Sequence, residues 1–269
     1  MESIVVLGTG LAMVTECYNT CFALRHGDEY LLTDAGGGVG ILRQLKYAGI
    51  SPAKIHNMIV THAHCDHVLG VVWVLRNLGI MIARGEYEGN FHIWCHKELA
   101  QTIQTICALT LKGKNTAELF HDRIIFHHVE DGTRADICGW PVTFFDLHAE
   151  EVEQYGYWLL LDSGEKLTFL GDAPYNRACF PYVQGSDWLL SEAFCLYAHR
   201  EHYKPYEKKH VTLREACELG QELGVSNLVV WHSEDDNYSR RKELFAEEGA
   251  RYYSGKLHIP RDLDVINLN

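Results

Sequence analysis

The sequence predicts an α/β fold built from two sheets with helices on their outer sides. Three observations carry that expectation. Short strand-like runs alternate with segments of helical periodicity along the whole chain. Hairpin patterns occur in both halves. The histidines and aspartates with metal-binding chemistry fall at strand ends, where residues far apart in sequence can converge on one rim. The chain has 269 residues, 47% hydrophobic and 22% charged, which is ample material for a sizeable core. With only 6 prolines, no linker-like tract and no internal repeat, one domain spanning 1–269 is expected.

Taken in order, Ile4–Thr9 reads as a strand that ends in a turn. Its Gly8-x-Gly10 pair lacks the third glycine and apolar helix of a nucleotide loop, and is read as a turn. Thr20–Leu24 and Tyr30–Thr33 form a hairpin that runs into Asp34-Ala35-Gly36-Gly37-Gly38, glycines that let the chain turn closely past a site. Asp34 is expected to hold a ligand histidine by hydrogen bond, with a helix cap as the alternative. A helix follows over Gly40–Tyr47, then a strand over Ile55–Val60. Thr61-His62-Ala63-His64-Cys65-Asp66-His67 comes next and opens a helix at Val68–Leu75, with Gly79–Ile82 read as lying beyond it. Phe91–Cys95 alternates like a strand and Glu98–Leu111 like a helix. His92, His96 and the His127-His128 pair are read as sheet or cap residues.

Strands are expected at Ile124–Phe126, Trp140–Leu147, Tyr157–Asp162, Lys166–Leu170, Asp187–Leu190 and Asn227–Trp231. A helix begins at Val211, with Thr212 and Glu215 spaced as a capping box. A last helix covers Arg240–Glu248, and two short strands close the chain.

Acidic residues outnumber basic ones, 36 to 24, for a net charge of −12. Proteins that grip nucleic-acid phosphates usually show the opposite balance. Lys204, Lys208, Lys209 and His210 form one basic cluster, read first as a solvated face. The 9 cysteines are odd in number and do not space as a disulfide framework. With no secretory leader before the first strand, free thiols in the cytoplasm are expected. No apolar run is read as long enough to span a membrane.

The chemistry concentrates in His62–His67. Imidazole and carboxylate suit zinc, with iron or manganese as alternatives. His62 and His64 point the same way in an extended loop, while Asp66 and His67 can face a second ion. His148, Asp172 and His232 stand at later strand ends. Asp172 could bridge two ions that hold a hydroxide as nucleophile.

In that order, His62-x-His64-x-Asp66-His67, His148, Asp172 and His232 resemble the metallo-β-lactamase superfamily, over nearly the whole chain. Gly156-Tyr157, Gly171-Asp172, Glu192-Ala193 and His210-Val211-Thr212 look most like its ribonuclease Z branch of phosphodiesterases. The resemblance implies a four-layer αββα sandwich. It places His62, His64 and His148 on one zinc and Asp66, His67 and His232 on the other, with Asp172 bridging and Asp66 in the catalytic set. It makes His210 the general acid or electrostatic partner at the leaving group, oriented by Glu192, and it implies a homodimer. Ser191 and Phe194 depart from the His and Thr usual around the Glu-Ala pair. The interval between the third ligand and the bridging aspartate, 172−148 = 24 residues, leaves no room for the branch's tRNA-gripping arm.

A dinuclear-metal hydrolase of a small phosphodiester or related anionic ester is therefore expected, with nucleic acid disfavoured and no membrane partner. The alternatives are tRNA 3′ processing and thioester, lactone or β-lactam-type hydrolysis. Redox chemistry at di-iron would need a flavin domain not seen in this chain, and a degenerate scaffold would have lost ligands that here are all present. Cys65 is read as a spectator. The Tyr197–Lys209 loop is expected either to border the site and influence substrate choice or to be a plain surface loop or subunit contact.

Overall fold

A computed structural model describes residues 1–111 and 122–268. Its strands are β1 (Glu2–Gly8), β2 (Cys21–His26), β3 (Glu29–Thr33), β4 (Ile55–Ile59), β5 (Phe91–Cys95), β6 (Ile124–His128) and β7 (Arg134–Ile137), then β8 (Trp140–Asp146), β9 (Tyr155–Leu160), β10 (Lys166–Phe169), β11 (Trp188–Glu192), β12 (Asn227–Trp231), β13 (Lys256–His258) and β14 (Val265–Asn267). The longer helices are α1 (Gly40–Tyr47), α2 (Cys65–Ala83), α3 (Lys97–Thr110), α4 (Leu213–Glu222) and α5 (Arg241–Gly249).

The strands form two seven-stranded sheets, ordered β14-β1-β2-β3-β4-β5-β6 and β13-β12-β11-β10-β9-β8-β7. Each is mixed. The first is antiparallel through β14-β1-β2-β3 and parallel from β3 to β6. The second is antiparallel from β7 to β10 and parallel from β10 to β13.

Alternating side chains sort into layers because successive strand residues face opposite sides of the sheet. Ile4, Val6, Phe22 and Leu24 meet Phe144, Tyr157, Phe169 and Trp231 between the sheets. There Phe22 stacks on Trp231 at 4.7 Å, and the Thr33 hydroxyl hydrogen-bonds that of Tyr157 at 2.8 Å. Val5, Leu7, Ala23 and Leu32 face the opposite way and pack with α1, α2 and α3. Leu189, Leu228 and Val230 do the same against α4 and α5. The layers are thus helix, sheet, sheet, helix, the αββα sandwich expected from the resemblance.

Three sequence readings are corrected. The helix after the histidine-rich turn starts at Cys65 and runs through Gly79–Ile82 to Ala83 without a break. It is consequently the one helix among the described residues that is long and apolar enough to cross a membrane by length and composition. Its Val68, Val71, Val72, Val74, Leu75 and Leu78 are buried in the packing against the first sheet. The second correction is β7, which alternates too weakly (exposed Arg134 and Asp136) to be read from the pattern. The third is that β11 extends to Glu192, because its ladder to β12 continues to the pair Glu192–Trp231.

The capping box holds: Thr212 N–H donates to Glu215 at 2.7 Å. Gly70 allows α2 to approach the glycine loop, since a Cβ there would lie 1.8 Å from the Ala35 carbonyl oxygen. The interval between His148 and Asp172 is filled by the β9–β10 hairpin.

Candidate metal centre

Strands β3, β4, β8, β10, β11 and β12 all deliver their carboxyl ends to one rim, where ligands of mixed α/β sheets collect. Asp34, His62, His148, Asp172, Glu192 and His232 are the residues at or just beyond those ends. Asp34, His148 and His232 have φ of 55°, 54° and 53°. Left-handed backbone at a non-glycine residue costs about 1 kcal/mol or more and concentrates where side-chain direction matters.

His62 and His64 lie in the extended segment before α2, and their rings sit edge to face at 4.6 Å. Asp66 and His67 occupy the first turn of α2, where a carboxylate also complements the helix dipole. Two groups of donor atoms result, each within 4.8 Å: His62, His64 and Asp172, and Asp66, His67 and His232. Oδ2 of Asp172 joins them. It lies 3.6 Å from His62 Nε2, 3.2 Å from His67 Nε2 and 3.4 Å from His232 Nε2.

This arrangement fits divalent ions on its own geometry. Nε2 of both His62 and His67 is buried without a hydrogen-bond partner. Donors bonded at 2.0–2.1 Å to a tetrahedral ion stand about 3.4 Å from each other, the separations seen around Asp172. Electrostatics agrees. Burial lowers the pKa of His62 well below its ordinary value, and that of His232 to about 4, so both imidazoles are neutral and carry a lone pair. Burial opposes ionisation of Asp172, but the imidazoles around it, with His67 as the one that carries a proton's charge, hold its pKa well down. Burial also opposes protonation of His67, yet Asp172 and Asp34 pull its pKa up. The centre attracts positive charge, which a metal ion supplies in place of the proton.

The supporting residues orient the ligands. Asp34, 1% exposed, accepts from Thr61 N at 2.9 Å and Thr61 Oγ1 at 2.8 Å, and pairs with His67 Nδ1 at 2.8 Å. Thr61 Oγ1 lies 2.9 Å from His62 Nδ1. Nδ1 of His62 and of His67 is thereby occupied and Nε2 of each is turned to the centre. The expected hydrogen bond between Asp34 and a histidine of the donor groups is present, with the carboxylate accepting from His67 Nδ1.

Sequence reasoning missed Gln154. Only 2% exposed, it places its amide nitrogen 3.0 Å from His62 Nδ1 and donates to Asp172 Oδ1, while its oxygen accepts from Asp172 N at 3.3 Å. A polar residue opening a strand carries no signal for that role. His148 is the residue the fold does not bring into either donor group. Its side chain is 44% exposed and turned to Asp146, with Nδ1 3.3 Å from Oδ2. It borders the cleft together with His64 and Asp172.

Glu192 and His210 form a pair beside the donors. Glu192 Oε2 is 2.6 Å from His210 Nδ1, and its other oxygen accepts from Val211 N at 3.1 Å. Burial pushes the Glu192 pKa up to about 7 against the pull of His210. Burial works against protonated His210, but Glu192 prevails and lifts it to about 9. Phe194 stacks on the His210 ring at 4.7 Å. His92 and His127 belong instead to the edge of the first sheet, where they pair at 2.8 Å. Glu2, His26 and Asp162 form another close group at the opposite end of the sheets. There Trp140 Nε1 and Asp162 N donate to Glu2, and His26 Nδ1 pairs with the Cys138 carbonyl. Its polar groups are satisfied by one another.

Fold and site together define a metal-dependent hydrolase of the metallo-β-lactamase fold. The chain belongs to the family described as Anti-Pycsar protein Apyc1, which it matches over residues 2–247. It is 33% identical to a ribonuclease Z of Thermococcus kodakarensis, covering 99% of this chain and 95% of that protein. Among solved structures it is similar to the human short-form tRNase Z (ELAC1), with TM-score 0.75, 19% identity and 99% of both chains covered. It is also similar to a diphosphatase of the PhnP family, with TM-score 0.76, 17% identity, and 100% of this chain and 98% of that one covered.

Proposed function

We propose that this chain is a single-domain phosphodiesterase that cleaves a small phosphodiester or related anionic ester with two metal ions. The observation that carries the proposal is the pair of donor groups meeting at Asp172 with the Glu192–His210 pair beside them. His62, His64 and Asp172 would hold one ion, with His148 able to join from the cleft wall. Asp66, His67 and His232 would hold the other. The all-nitrogen-and-oxygen donor set favours zinc, and suits manganese or iron as well. Ions bound there make water a stronger nucleophile and neutralise charge on phosphoryl oxygens.

The protein's own groups do the remainder. Glu192 fixes the His210 ring through Nδ1 and keeps it protonated, so Nε2 can donate a proton to the departing oxygen. Asp34 and Thr61 hold the ligand imidazoles in register. Relatives named for ribonuclease and diphosphatase chemistry support a phosphoester substrate. The wall formed by Glu234, Asp235 and Asp236, and the net charge of −12, repel an extended polyanion. A homodimer and a cytoplasmic setting belong to the same reading, the latter supported by nine free cysteines.

The test is hydrolysis of bis(p-nitrophenyl) phosphate by zinc- or manganese-loaded protein. Turnover that disappears in Asp172→Ala supports the proposal, and no turnover with either metal rejects it. The 33% identity to a ribonuclease Z motivates one rival, precursor-tRNA cleavage. Specific 3′ cleavage at rates above those for the small diester would establish that rival.

A further inference from the structure

Two cavities of about 480 and 520 Å³ flank the donor cluster. One is lined by Arg177 and Lys209, the other by Glu234, Asp235 and Asp236, and Lys208 borders both. Three lysines lie on the same loop, but their surroundings differ. Lys204 faces Glu201 at 3.6 Å and Glu207 at 3.8 Å, and Lys209 meets Glu150 at 2.7 Å. Lys208 has no ion-pair partner among the described residues. Its ammonium instead stands 5.1 Å from the centre of the Phe194 ring. That ring is 4% exposed and is the one stacked on His210.

The backbone maintains this placement. The turn Pro205–Lys208 is bracketed by Lys204 and Lys209, with φ of 54° and 58°. Two left-handed lysines cost about 1 kcal/mol each or more. The turn is tied to the catalytic side by His210 N donating to the Pro205 carbonyl at 2.9 Å. A lysine without a counter-ion, held over an aromatic face at the edge of a phosphoester site, has the properties of an anion receptor.

We propose that Lys208 recognises the substrate's anionic phosphoryl group, and that Phe194 is the residue that positions it. This deepens the phosphodiesterase reading and rests on it. An ammonium there pairs with a charged phosphoryl oxygen and finds no counterpart in a neutral acyl ester. Lys208 also lines both cavities, so each substituent of the diester can occupy one of them.

Two measurements on metal-loaded protein test this. The first is bis(p-nitrophenyl) phosphate kinetics for the native chain, Lys208→Gln and Lys208→Arg. The second is calorimetric titration with inorganic phosphate, including Phe194→Leu and the double variant Phe194→Leu/Lys208→Gln. Thermal melting confirms that each variant folds. Lys208→Gln is expected to raise KM and phosphate Kd about tenfold, with kcat within about threefold, and Lys208→Arg to restore binding. Phe194→Leu should weaken phosphate binding in the native background and add nothing when Lys208 is already Gln. Phosphate Kd within twofold of native in Lys208→Gln would overturn the role of Lys208. Additive effects in the double variant would overturn that of Phe194. Absence of diester turnover by the native chain would reject the function proposed above, while the phosphate titration still decides on Lys208.

Discussion

Asp34→Asn is a near-isosteric change with a large expected consequence for metal binding. Asn tolerates the left-handed backbone at this position, φ 55°, so the substitution adds no strain of its own. The carboxylate accepts from three donors: Oδ1 from Thr61 N at 2.9 Å, and Oδ2 from Thr61 Oγ1 and His67 Nδ1, each at 2.8 Å. An amide has one accepting atom. If its oxygen stays on the Thr61 N–H, its NH2 faces His67 Nδ1. That contact then requires an unprotonated Nδ1, and the proton moves to Nε2, the atom a metal needs. If the amide is flipped, the buried Thr61 N–H loses its acceptor.

Either outcome costs about 1.5–3 kcal/mol, the range for a hydrogen bond to a charged group. Metal affinity should fall about 10–100-fold, as for other partners of ligand imidazoles. The assay is competition with a chromophoric chelator, read beside the ¹⁵N shifts of the His67 ring, which report the tautomer. Affinity within twofold of native, with Nδ1 still protonated, would refute the claim that Asp34 sets the His67 tautomer.

Further outcomes follow from the same geometry. His210→Ala should lower kcat on bis(p-nitrophenyl) phosphate by about 10²-fold or more. If His210 acts as the proposed acid, its protonated form is the active one and kcat should fall as pH rises through about 9 in the native enzyme. In Glu192→Gln that alkaline limb should move toward the ordinary histidine value, and an unmoved limb would remove Glu192 from the pairing. Metal at 100 times its Kd should stabilise the fold by about 2.7 kcal/mol, a rise in Tm of roughly 5–10 °C that chelator reverses in a melting experiment. Gly70→Ala should destabilise by about 3 kcal/mol or more in urea unfolding, because its Cβ would strike the Ala35 carbonyl. Finally, burial lowers the His258 pKa to about 4. The unfolded chain takes up that proton first, so the His258 contribution to stability should be lost as pH falls from about 6.5 to 4, and His258→Gln should make the drop seen by urea titration smaller.

The residue types and spacing of His62–His67, and the strand-end positions of Asp172 and His232, pointed to the rim where the fold gathers these side chains. A ligand cluster that is contiguous in sequence announces itself, and an apolar strand with a histidine at its end limits where that histidine can point. The strand periodicity likewise specified most of the two sheets, since alternation is a local property. Gly79 looked like a helix terminus, but the apolar face on both sides of it kept α2 continuous to Ala83.

What the sequence by itself determined, then, was the chemistry: which side chains can bind metal, which can carry a proton, and that strand and helix alternate to support them. Tertiary structure alone decided which of them meet. It set Asp172 Oδ2 between three imidazoles, turned His148 outward to Asp146, and brought Gln154 from a strand edge onto His62 and Asp172. It also left Lys208 over Phe194 without an ion-pair partner among the described residues, while Lys204 and Lys209 found carboxylates. The physical reason is common to all four. Composition and spacing report what a side chain can do, whereas its partner depends on distances between strands and loops remote in the chain, which only the packed sandwich establishes.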